Sequence, residues 1–124
     1  MILGDLPVHF STDETAEALR SDVGLRVREI ALGPTPTKEE LLAAIAEALV
    51  LPDYFGHNWD ALEECLQDLE YDGEMLVLLV RHAALLWQRM PRDLSTLVDT
   101  WLAASGERNI HLVFVWRCED ERSR

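Results

Sequence analysis

Basic residues are missing from one long part of this chain. Between Glu39 and Val80 there is no Lys or Arg in 42 consecutive residues, although that segment holds eleven carboxylates. The other 82 residues carry twelve acids against eleven bases, so eleven of the twelve net negative charges fall in this segment. A nucleic-acid binder needs the opposite sign to release counterions from phosphate. An anionic membrane leaflet would repel the segment as well. The partner it suits is a basic protein or a divalent metal. Cysteine is also scarce. Cys65 and Cys118 make no disulfide framework in 124 residues, which reads as reduced thiols in a cytoplasmic protein. Long apolar runs are absent: none exceeds six residues, the length of Met75 to Val80, against about 20 for a membrane span. The N-terminus "MILGDLPVHF" has no basic start and an early Asp5 and Pro7, so it does not read as a signal peptide. Internal repeats, low-complexity tracts and interdomain linkers are missing too.

What remains is a chain that is 48% apolar, of a length that fits one domain with a real core. "LRVREIAL" (25–32) is β-branched at Val27 and Ile30 and predicts a strand. "GPTPT" (33–37) breaks it, and Thr37 with Glu40 forms a capping box for a helix over 38–49. Pro52 and Gly56 mark a loop. Asn58 then caps a second helix from 59 to about 70, with Asp60 suiting its N-terminal dipole. "EMLVLLV" (74–80) predicts a strand buried on both faces. "AALLWQRM" (83–90) reads as a short helix. Pro91 starts another, with Leu94, Leu97, Val98 and Trp101 on one face, and Gly106 ends it. "IHLVFVW" (110–116) is a last strand. Strands alternating with helices imply a parallel sheet, here an α/β domain of three strands packed by about four helices. Residues 1–24 read as an N-terminal extension of uncertain order, with helical composition in "TDETAEALR" and a cap option at Thr12 or Thr15. Residues 117–124 read as a charged tail.

The second helix carries the charge. At 100° per residue, Trp59, Leu62, Leu66 and Leu69 share one face, and Asp60, Glu63, Glu64, Gln67 and Asp68 share the other. Cys65 falls on the border and reads as a packed, inert thiol. Asp60 and Glu64 stand one turn apart, where like charges cost a few tenths of a kcal/mol. Most such faces are merely solvated. The preceding loop argues for more, because Tyr54 beside carboxylates has the character of an interface anchor, while Phe55 reads as a core cap.

The stretch "LPDYFGHNWDALEECL" (51–66) resembles the signature of the barstar family, intracellular inhibitors of barnase-type ribonucleases. That pattern is matched by Leu51, Pro52, Asp53, Tyr54, Phe55, Gly56, Asn58, Asp60, Ala61, Leu62, Glu64, Cys65 and Leu66, in order and without a gap. With the element order after Thr37, the resemblance extends over about 25–116 and implies a barstar-like fold. It implies that the loop and acidic helix plug a ribonuclease's cationic active site, carboxylates standing where RNA phosphates would. Tyr54, Gly56 and Asn58 would touch the enzyme from the loop, and Asp60 and Glu64 would meet its Arg, Lys and His. The family's exposed Trp on this helix is matched by Glu63, which joins the expected contact set, and its usual Asp is matched by Glu64. A further acid on the last helix falls near Asp99 or Thr100.

Other readings fit the residues less well. A helix face offers a metal only two or three oxygens, without the loop carbonyls of a calcium site. His9, His57, His82 and His111 lack zinc-ligand spacing. His57 near Asp60 is accompanied by no nucleophile and no Gly-rich phosphate loop. An acidic adaptor, or a nucleic-acid mimic for a basic partner that is not a nuclease, is the alternative. The expectation is a cytoplasmic, monomeric inhibitor of a basic ribonuclease, without enzymatic activity, cofactor or metal.

Overall fold

The computed structural model describes residues 7–22, 24–52, 58–69, 75–105 and 110–116. In chain order the elements are β1 (Val8–Thr12), α1 (Asp13–Arg20), β2 (Leu25–Ile30), α2 (Lys38–Leu49), α3 (Trp59–Asp68), β3 (Met75–Val80), α4 (Ala83–Arg89), α5 (Pro91–Ser105) and β4 (Ile110–Trp116). The four strands form one parallel sheet in the order β1-β4-β3-β2. The α/β class and parallel sheet are as expected, but four strands and five helices replace three and about four. The additional strand and helix both come from residues 8–20, within the stretch read as an extension. "VHFST" is too short and too polar to announce a strand, and the partner that makes it one, β4, lies about a hundred residues away in sequence.

β3 explains why both faces need cover. All six of its residues are buried, and they alternate between two apolar layers. Leu76, Leu78 and Val80 face a large cluster built with Ile30, Leu112 and Phe114 and with apolar residues of α2, α3, α4 and α5. Trp101 of α5 lies fully buried in it, its indole N–H donating to the Ile110 carbonyl at 3.4 Å. Met75, Val77 and Leu79 point the other way, with Val113 and Val115, onto Ala16 and Leu19 of α1. Among the described residues, one eight-residue helix covers the second face.

Arg81, which follows β3, ties α1 down. Its Nη1 reaches Asp13 at 2.9 Å and its Nη2 reaches Glu17 at 3.3 Å, while its Nε donates to Glu29 at the end of β2. Burial opposes its charge, but the hydrogen bond and charge of Glu29, with Glu17 and Asp13, outweigh that and hold the guanidinium above its usual pKa. At the other edge His9 Nε2 and His111 Nδ1 share a hydrogen bond at 2.9 Å between β1 and β4. Among the described residues no helix is long and apolar enough to cross a membrane.

Candidate functional site

The site begins where α2 ends. Thr37 caps that helix as its sequence implies: the Glu40 N–H donates to Thr37 Oγ1 at 3.1 Å, and the hydroxyl donates to the Glu40 carboxylate at 3.1 Å. The other end has no such signal. Val50 closes the helix in the left-handed region, at φ 53° and ψ 54°, and the Leu51 N–H turns back to the Ala46 carbonyl at 2.9 Å. Glycine normally takes this position, and a β-branched residue is strained there by about 1–3 kcal/mol. Val50 is also 79% exposed. This sharp turn sends the chain toward α3.

Asn58 is the N-cap of α3, with extended backbone, and its Oδ1 accepts the Ala61 N–H at 2.8 Å. The bond satisfies one of the helix's open donors, and Asn58→Ala should cost about 1 kcal/mol of stability. Urea unfolding of the variant checks this; an unchanged midpoint would mean that the cap adds nothing. Leu62 and Leu66 are fully buried, and Cys65 is buried beside them. Burial first, then the charges of Asp68 and Glu64, pushes the Cys65 thiol pKa up, which favours its protonated form. Trp59 and Leu69, also assigned to the core stripe, are half-buried, because they stand at the two ends of the helix where the packed layer stops.

Asn58, Asp60 and Glu64 are exposed. Among the described residues no Arg, Lys or His forms an ion pair with Asp60 or Glu64; the ion pairs present all involve Arg20 or Arg81. Glu63, expected to be largely exposed with Asp60 and Glu64, is half-buried. It follows Leu62 by 100°, so it sits on the flank of the stripe, where a long aliphatic stem packs while the head stays in water. A cleft of about 360 Å³ beside the C-terminal end of α3 is lined by Arg26, Arg28, Val50, Cys65, Asp68 and Leu69, among others. It places that end of the helix against β2, the edge strand farthest from β1. On α5, Asp99 is exposed and Thr100 buried, so of these two only Asp99 is open to a partner. Tyr54 and Gly56, with the rest of 53–57, lie outside the described residues. The structure thus presents three of the expected contacts openly and Glu63 in part. Among the described residues no group of three or more His, Cys, Asp or Glu is placed to hold a metal ion.

The chain is thus an α/β domain with a parallel sheet and an open acidic helix that follows a strained turn. The family model for Barstar (barnase inhibitor) matches residues 25–116. The chain belongs to the Barstar family. No curated protein matches it.

Proposed function

We propose that the protein is a stoichiometric inhibitor of a basic, barnase-type ribonuclease or ribonuclease toxin, acting through α3 and the loop before it. The observation that carries this reading is the open pair Asp60 and Glu64, exposed on one helix face and joined to no cation among the described residues. Family membership supplies the class of partner. A ribonuclease must gather cations to hold a phosphodiester and stabilise its transition state. A carboxylate pair one helical turn apart can occupy those positions with charge-assisted hydrogen bonds. The inhibitor supplies anions that contain no bond to cleave, so the enzyme is blocked without any chemistry on the inhibitor's side. Complementary charge also steers encounter and raises the association rate.

In this reading Tyr54, Gly56 and Asn58 position the loop on the enzyme, Asp60 and Glu64 meet its catalytic cations, and Glu63 lies at the margin. The purified chain should abolish RNA cleavage by small basic ribonucleases at a one-to-one ratio. A panel in which no enzyme is inhibited, while a basic protein without nuclease activity is bound, would replace the reading with an acidic adaptor. Tyr54→Ala should weaken inhibition by about 2 kcal/mol, roughly thirtyfold in Kd, as interface aromatics do. Its unfolding midpoint should barely move. A stability loss of that size with unchanged inhibition would place the ring in the core.

A further inference from the structure

The far edge of the sheet carries a second surface. β1 pairs with β4 on one side, and among the described residues no strand pairs with its other side. The Leu112 N–H donates to the Pro7 carbonyl at 2.8 Å, and Val8 stands opposite Leu112. In a parallel ladder this phase turns the backbone groups of residues 7, 9 and 11 toward β4. Val8, Phe10 and Thr12 therefore send their N–H and C=O groups outward. Phe10, at the centre, is 63% exposed. Its ring extends an aromatic group, with Phe114 and Trp116 each at 5.4 Å and Trp87 at 6.4 Å between centroids.

Edge strands are usually guarded by charge, proline or a bulge. "VHFST" has no Asp, Glu, Lys, Arg or Pro, and its register against β4 runs without a bulge from Val8 to Thr12. We propose that β1 is a homodimer interface, two copies pairing antiparallel about a two-fold axis at Phe10. That axis sets Phe10 opposite Phe10 and Val8 opposite Thr12. All three positions are those whose backbone groups point outward, so each forms a hydrogen-bonded pair. The two Phe10 rings come to lie on the same face as direct cross-strand neighbours, the aromatic pairing that stabilises antiparallel edges.

The distribution of charge favours this edge over the rest of the surface. A net charge of −12 opposes self-association in general. Eleven of those charges lie in 39–80, the segment of α2, α3 and β3. The C-terminal end of α3 shares a cleft with Arg26 and Arg28 of β2, the edge of the sheet opposite β1. Of the carboxylates next to β1, Asp13 is bound to Arg81. Copies meeting through β1 keep their acidic helices apart, and both inhibitory faces stay open.

The test is sedimentation velocity on the full chain across a concentration series at physiological salt. The wild type should show twice the chain mass. Phe10→Lys and Phe10→Glu should each sediment as monomers, because like charges face one another across the axis, with far-UV circular dichroism unchanged. An equimolar mixture of the two variants should restore the doubled mass, since Lys then faces Glu. A wild type that stays monomeric up to millimolar concentration, variants that remain dimeric, or a mixture that stays monomeric would each overturn the proposal. The last outcome would assign the Phe10 surface to some occupant other than β1 of a second copy.

Discussion

In the proposed complex with a ribonuclease, Glu64→Gln should raise the dissociation rate and cost about 2–5 kcal/mol of binding, a range that owes much to the barnase–barstar pair itself. The substitution keeps the side chain's size and removes its charge. Glu64 is exposed on α3 one turn from Asp60, so in the free protein the two repel. In the proposed complex, binding would replace that repulsion with a cationic site and desolvate the enzyme's cations in the process. A neutral amide leaves those cations buried with one anion fewer, and that penalty is the main source of the loss. Glu47→Gln is the control. Glu47 is exposed in the same acidic segment but on α2, and its loss should cost under about 1 kcal/mol, as rim charges do. Raising salt to physiological strength should slow association several-fold for all forms, as screening shortens to about 8 Å. Association and dissociation rates on an immobilised ribonuclease separate the effects. If the two glutamines behave alike, the carboxylates act as diffuse charge and the phosphate-mimic assignment is wrong.

Removing residues 1–22 should cost the protein its cooperative fold. The deletion takes away β1 and α1, and with them the cover over Met75, Val77, Leu79, Val113 and Val115. Returning a buried side chain of this kind to water costs about 1.5–3 kcal/mol. Five of them reach the order of a domain's whole stability, about 5–15 kcal/mol. The loss also strips Arg81 of Asp13 and Glu17, leaving it Glu29 among its described ion partners. The truncated chain should bind a hydrophobic dye and unfold without a sharp transition in urea. A truncated chain with the wild-type midpoint would instead make residues 1–22 an accessory to a self-sufficient unit over 25–116.

Much of the fold is legible because its signals are local. Thr37 and Glu40 cap α2 as their spacing implies, Asn58 caps α3, and Pro91 opens α5 at the position where a missing N–H costs nothing. The continuous apolar run of β3 is buried throughout. The open positions of Asp60 and Glu64 follow from helical periodicity alone. What the residues do not announce depends on distant neighbours. β1 becomes a strand only because β4 is there to pair with it, and α1 packs only because β3 and β4 present a second apolar face. Glu63 differs from Glu64 by a rotation that puts it at the margin of the packed stripe. Val50 would have been readable as a left-handed turn had it been glycine or asparagine.

The pairing of β1 with β4 also has a consequence in time. Residues 8–12 are among the first of these elements to be synthesised, and their partners, 112–116, are the last. At about 5–20 residues per second, roughly five to twenty seconds separate the two on the ribosome. Throughout that interval β1 lacks the strand it pairs with, and Ala16 and Leu19 can meet β2 and β3 but not Val113 and Val115. Parallel pairing between distant segments is slow in any case, because the loop must close before contacts repay it. The sheet's order therefore makes completion of the second core a late event, after β4 has been synthesised.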